Sequence, residues 1–257
     1  MKTILLKFAG PMQSWGTDSH FEIRHTDSYP SKSGVLGLVA AALGWRRNDK
    51  RIEKLNKICF AVRVDQPGTI LEDYHIAHKP EVKKGGVVSY RTYVTKRHCL
   101  QDGVFVAALG ISQAEDVNEI LAALRQPYFQ TYMGRRSLPL PVDFILDVVE
   151  GEPVSVLRDF PWQAADWYQK KEQLKDNAGR QLLSIFAEKD IDGGIGRRRR
   201  DHVVSLASSG RRYLPRMEYE TFCEIAMPKS RQEHDAYSAT KVLLFFRNGW
   251  KVALKNL

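Results

Sequence analysis

Six consecutive apolar residues, Val104 to Leu109, form a run that a strand buries only when both of its faces are covered. The chain therefore needs a sheet with a central strand here. Residues 2 to 9 alternate, with Ile4, Leu6 and Phe8 on one face and Thr3, Leu5 and Lys7 on the other, the period of a strand packed on a core. Ile58, Phe60, Val62 and Val64 alternate in the same way. Between these two segments, Val35, Leu36, Leu38, Val39, Ala42 and Leu43 cover most of a helix surface, and Gly44 supplies a C-terminal stop. After the central run, Ser112-Gln113-Ala114-Glu115 has the form of a capping box, followed by Val117, Ile120, Leu121 and Leu124 at helical spacing up to Gln126-Pro127. An extended stretch follows at Phe144 to Val149.

Strand, helix, strand, insertion, strand, helix, strand is the split βαβ order of ferredoxin-like domains, which many RNA-binding modules share. The expected class is α+β, with a ferredoxin-like (RRM-like) palm over residues 1–150. The basic-Gly-aromatic signature of an ordinary RNA-recognition motif is missing, so no aromatic stacking platform follows. The insertion between Leu71 and Gly103 reads as a long hairpin whose tip is Lys83-Lys84-Gly85-Gly86. On its second arm Val88, Tyr90, Thr92 and Val94 share one face, while Ser89, Arg91, Tyr93, Thr95 and Arg97 share the other. Residues 151–257 read as a C-terminal region. Trp162, Trp167 and Tyr168 beside the charged run Gln169 to Asp176 suggest helix and loop, and Gly193 to Arg200 a mobile basic loop over about 193–201. Val203 to Leu206, Glu220 to Met227 and Lys241 to Leu254 are strand-like and suggest a smaller β-rich unit.

Composition narrows the class of partner. With 43% hydrophobic and 27% charged residues, the 257-residue chain is neither disordered nor a fibre, and its net charge is +9. Residues 193–257 hold 13 basic and 6 acidic residues, so most of that excess sits at one end. A basic end on a nearly neutral body suggests a polyanionic partner. Cys59, Cys99 and Cys223 are odd in number and widely spaced, which indicates neither a disulfide framework nor a zinc site. No apolar stretch approaches the length of a membrane span or a signal segment. The expectation is a cytoplasmic protein without cofactor, metal or membrane.

Several clusters are open to two readings. Gly134-Arg135-Arg136-Ser137 places two guanidinium groups after a turn glycine, so backbone N–H groups and Arg forks can meet one phosphate; a pair of surface arginines reads the same way. Gln13-Ser14-Trp15 offers hydrogen-bonding groups beside one ring for stacking, or else a core tryptophan. Lys96-Arg97-His98 at the hairpin base has a base and a cation suited to cleaving RNA at its 2′-hydroxyl, yet an ordinary basic hairpin holds such a triplet too. Asp73, His75 and His78 do not suit a metal, because residues three apart on a strand face opposite sides. Glu115, Asp116 and Glu119 are accounted for by the dipole of the helix they open.

Three segments together resemble the fifth CRISPR-associated protein family, in its type I-E branch: Ala9-Gly10-Pro11-Met12-Gln13-Ser14-Trp15-Gly16, Pro30 to Leu38, and Tyr132 to Leu140. The similarity spans about residues 1–150 and continues loosely at Arg200-Asp201 and Leu214-Pro215-Arg216; about 163–192 and the stretch beyond 228 depart from the pattern. The resemblance implies a palm that grips and caps the 5′ handle of a CRISPR RNA and a thumb, here about residues 72–102, placed against the guide. It implies, as partners, the backbone and large subunits of a Cascade antiviral surveillance complex, and target DNA only through that complex. Another subunit usually cuts the precursor, so the implied role is non-catalytic. In the related type I-C systems the equivalent protein cuts, and a metal-independent, repeat-specific endoribonuclease using Lys96, His98 and Tyr93 is the alternative. Phosphate donors are then expected at Lys32, Arg91, Arg97, Arg135, Arg136 and Arg200, and base or turn contacts at Gln13, Ser14, Trp15, Ser33, Gly134 and Ser137.

Overall fold

A computed structural model describes residues 1–16, 23–82, 86, 88–175, 179–207 and 210–227. The run Val104 to Leu109 lies in β7 (Val104–Ile111), every residue of which is buried. It sits between β1 (Lys2–Ala9) and β4 (Cys59–Gln66), antiparallel to both. Beyond β1 lies β8 (Ile145–Glu150), also antiparallel. Two helices cover one face of these four strands, α1 (Lys32–Ala42) and α2 (Ala114–Arg125), and close a core with Ile4, Leu6, Phe8, Phe60 and Val62. The opposite face, with Leu5, Ala61, Val106 and Ala108, is covered by α3 (Pro153–Asp159) and by Trp162. Burial on both faces explains why β7 has no polar position.

The ends of α1 follow from its sequence. Ser31 accepts a hydrogen bond from the Gly34 N–H at the start, and Gly44, at φ +75°, ends the helical path. Its first turn has no acidic residue of its own; the buried carboxylate of Asp201 instead accepts the Lys32 N–H at 2.8 Å. The capping box expected before α2 is not formed. Pairing of β7 with β1 continues to Ile111, so the helix starts one residue late, with Gln113 at its N-cap and no side-chain cap bond.

The C-terminal half differs more from expectation. Among the residues read as helix and loop, α4 (Asp166–Lys175) is present, but β9 (Arg180–Ala187) is a strand on β4. The residues read as a mobile basic loop, Arg197 to Arg200, open β10 (Arg197–Ser205), which pairs with β11 (Arg212–Ala226). Because β11 also pairs with β9, these strands extend one seven-stranded sheet in the order β10-β11-β9-β4-β7-β1-β8. Lys241 to Leu254 lies outside the described residues.

Arg197 to Arg200 are ordered by what their alternate members meet. Arg199 is buried and donates to Glu218 and Asp27, and Arg197 donates to Glu218 and stacks over Tyr29 at 5.3 Å. Arg198 and Arg200 are exposed on the opposite side of the strand.

Candidate nucleic-acid interface

The insertion between β4 and β7 is a two-stranded arm, β5 (Thr69–Val82) and β6 (Val88–Gln101), paired in unbroken register from Thr69↔Gln101 to Val82↔Val88. Fourteen residues per strand extend about 45 Å at the usual rise. Of the expected tip, residues 83–85 lie outside the described residues, and Gly86 has φ +78°. The root is gripped by β2 (Met12–Gln13), antiparallel to β6, and by β3 (Ile23–Arg24), parallel to it.

Register fixes what each face of the arm presents. Arg97 stands opposite Asp73 on one side and Arg24 on the other. Arg135, from the loop before β8, reaches the same place and donates to the His98 carbonyl at 2.9 Å, the Cys99 Sγ at 3.1 Å and the Arg24 carbonyl at 3.4 Å. Burial pushes the Arg135 pKa down, and the nearby Arg97 and Arg24 push it the same way while Asp73 opposes. Arg97 Nε is buried without a hydrogen-bond partner. Arg24 and Arg97 thus act on Arg135 with Asp73 the opposing carboxylate, a cluster of guanidinium groups that favours a bound anion.

The loop carrying Arg135 can adopt only a narrow set of shapes. Gly134 has φ +84°, and a Cβ there would fall 1.7 Å from the Ser14 carbonyl oxygen. Met133 N–H donates to Leu138 O and Leu138 N–H to Arg135 O, closing the turn. Arg136 and Ser137 are left exposed at its outer edge.

The other face of the arm root holds a chain of titrating groups. Glu72 accepts from Lys96 at 2.9 Å and from His98 Nε2 at 3.2 Å, and His98 Nδ1 is 3.2 Å from His25 Nδ1. The bonds from Lys96 and then His98 hold the Glu72 carboxyl below the usual range. Tyr93 is not part of this group: it shares the Arg97 face and packs under the Arg91 guanidinium at 5.3 Å.

Several expected contact residues are instead internal. Gln13 is fully buried; its amide nitrogen donates to Gly103 O and Phe8 O, and its oxygen accepts from Trp15 Nε1. No part of that amide is left for a base edge. Trp15 is 2% exposed and packs edge-on against Phe8, so it is a core tryptophan and offers no stacking face. Lys32 is 1% exposed, bonded to Glu188, Asn56 O and Ile58 O, and its pKa is lowered by burial against the opposing pull of Glu188. A phosphate cannot reach it. Ser14 is buried with a weak bond to His98 O, and Ser33 is half-buried. Arg91, Arg136, Ser137 and Arg200 are exposed as expected of contact residues. Arg24, His25, Glu72 and Asp73 were not singled out as RNA contacts. The strand pairing brings them in, and only the alternation of β5 with β6 carries a signal for the last two.

A mixed α+β body with a long projecting arm and under-neutralised arginines at its root defines a class of protein built to meet a polyanion. The match to known proteins is narrower. Residues 3–222 match the family model described as CRISPR-associated protein (Cas_Cas5), and the chain belongs to that family. It is 32% identical over 181 residues to "CRISPR system Cascade subunit CasD" of Escherichia coli (strain K12), covering 65% of this chain and 81% of that protein. Among solved structures, a chain of "CRISPR RNA-guided surveillance complex" aligns with a TM-score of 0.72 at 30% identity, over 91% of this chain and 96% of that one. A second, "Crystal structure of Cas protein", gives a TM-score of 0.57 at 27% identity, over 88% and 95%. Among the described residues no helix is long and apolar enough to cross a membrane.

Proposed function

We propose that this chain is a non-catalytic CRISPR RNA-binding subunit of a type I-E Cascade antiviral surveillance complex, which grips and caps the 5′ handle of the guide. Its relative is named as a Cascade subunit, and a structural neighbour is part of an RNA-guided complex. The observation that carries the reading is the clustering of Arg24, Arg97 and Arg135 at the arm root, beside the exposed Arg136 and Ser137. The four-strand order β8-β1-β7-β4, antiparallel throughout with α1 and α2 on one face, supports a ferredoxin-like palm over residues 1–150, with the arm as its thumb. The backbone and large subunits of the complex are the protein partners, target DNA is met through the complex, and the location is cytoplasmic.

Salt dependence tests this reading. The full chain is titrated with 5′-handle RNA between about 50 and 200 mM salt. The double variant Arg135→Ala, Arg136→Ala is expected to lower the slope of log K against log salt by about 1.4, at about 0.7 per lost phosphate contact on a single strand. Because Arg135 also holds the arm, Arg136→Ala is measured separately and is expected to lower it by about 0.7. Slopes unchanged in both variants remove the turn from the interface.

One observation favours the endoribonuclease alternative: His98 bonds both His25 and Glu72, with Lys96 on the same carboxylate. Against it, Tyr93 lies across the strand. A single cut in repeat RNA in excess chelator, abolished by His98→Ala, would establish that alternative; intact RNA supports the non-catalytic reading.

A further inference from the structure

A second basic surface lies at the far edge of the sheet, and it has a different construction from the arm root. The alternation of β10 sorts its four arginines into two pairs. Arg199 turns inward onto Glu218, with Asp27 and Asp201 also facing it, and Arg197, on the same side but half in solvent, is neutralised by Glu218 as well. Arg198 and Arg200 turn outward, where the cross-strand positions are not acidic: Met217 stands opposite Arg198, and Leu214 opposite His202. Both Met217 and Leu214 are exposed, at 41% and 51%. Arg200 spends one N–H on the Tyr213 carbonyl at 3.3 Å, which orients its guanidinium without neutralising it.

Two further segments add charge to this edge. Exposed Arg211 and Arg212 enter β11 beside Tyr213, and Arg47, from the loop after α1, lies close enough that it and Arg211 both act on the Tyr213 hydroxyl. The burial of that hydroxyl pushes its pKa up against them, and the ring packs against the core. The helix-bearing segment 46–57, packed on β10 through Asn56 and Val203, carries six basic residues and two acidic ones. One of those acids, Asp49, is bonded to Arg51.

An edge strand with outward arginines is common protection against strand pairing, and two such residues serve that purpose. Here the charge runs across three segments, and the carboxylates of β10 and β11 near it, Asp201 and Glu218, are consumed inside. We propose that the outer face of β10–β11, with Arg47, is a second nucleic-acid site that binds the phosphate backbone without reading bases. It goes beyond the handle grip at the arm root, uses none of that site's residues except Arg200 from the sequence expectation, and rests on the reading of the chain as a nucleic-acid-binding subunit.

The experiment uses the full chain and two fluorescent probes of arbitrary sequence, a 30-base-pair DNA duplex and a single-stranded RNA, each titrated across a salt series. The triple variant Arg198→Gln, Arg211→Gln, Arg212→Gln, which leaves Arg200 in place, is expected to lower the salt slope by about 2.7 for duplex DNA if the ligand is DNA, at about 0.9 per contact, or by about 2.1 for RNA if it is RNA, at about 0.7 per contact. The corresponding Arg→Lys variant keeps the charge and is expected to keep the slope. Slopes unchanged for both probes, in a variant that melts at the parent temperature, overturn the proposal. Handle-RNA titration of the same variant separates the two sites. Normal handle binding with a lost duplex or RNA slope supports a second site. Loss confined to handle RNA overturns independence and assigns this edge to the handle grip.

Discussion

Glu218 is 1% exposed and accepts from Tyr29, Arg197, Arg199 and Arg216, tying β10 and β11 to the loop that precedes α1. Replacing it by Gln leaves two nearly buried guanidiniums short of a counter-charge, a change that costs about 3 kcal/mol or more. Glu218→Gln is therefore expected to shift the urea midpoint sharply downward, while Arg200→Gln, on the solvent side of the same strand, stays within about 0.5 kcal/mol of the parent. Equal midpoints for the two variants would contradict the sorting of β10 into an inner and an outer face. The same residue shows why part of this region was not legible in the sequence. Four consecutive arginines after Gly193-Gly194-Ile195-Gly196 read as a solvated loop, because the carboxylate that buries Arg199 is nineteen residues away. Gln13 and Lys32 read as contact residues yet are internal for a related reason. Their residue types suit a ligand, but Gly103 O and Glu188, which satisfy them, are distant in sequence.

At the level of elements, the arm root is held by ionisable bonds on one face. The Glu72 carboxyl titrates below its ordinary range because Lys96 and His98 hydrogen-bond the charged form. A carboxylate whose folded pKa is depressed contributes stability that is fully present above the unfolded pKa and is lost as pH falls through the folded value. The root should therefore loosen only at acid pH, below the ordinary glutamate range. An NMR titration of the Glu72 carboxyl is expected to place its midpoint low, and Lys96→Met to move it back up. A midpoint that ignores Lys96→Met would mean that the bond between them does not hold the arm in solution. The elements themselves were largely readable. β1, α1, β4, β7, α2 and β8 each carry a period or an apolar run in the sequence, and the hairpin arms are paired in unbroken register. β3 has two residues and no pattern, so Arg24 and His25 entered the site unannounced.

Across the whole molecule, the arm and the body are nearly independent in their packing. Leu100 and Cys99 are buried at the root, but Tyr74, Ile76, Tyr90 and Val94 further out are between 43% and 68% exposed. An arm of this kind adds little to the burial that stabilises the sheet, since apolar surface left in water contributes nothing to folding. Tyr74 and Lys96 stand opposite each other, so residues 75–95 can be replaced by a two-residue Asn-Gly turn that keeps the pairing of Lys96 and Arg97 with β3 and leaves the arginine cluster in place. The shortened chain is expected to melt within a few degrees of the parent. It should bind isolated handle RNA within about threefold of the parent, because Arg24, Arg97, Arg135 and Arg136 all remain. A guide RNA extended beyond the handle is expected to bind the shortened chain more weakly than the parent, because Arg91 and its neighbours are gone. Handle binding that collapses with the arm would move the grip outward along β5 and β6. Unchanged affinity for the extended RNA would instead leave the arm to the protein partners, whose contact its exposed apolar face would then serve.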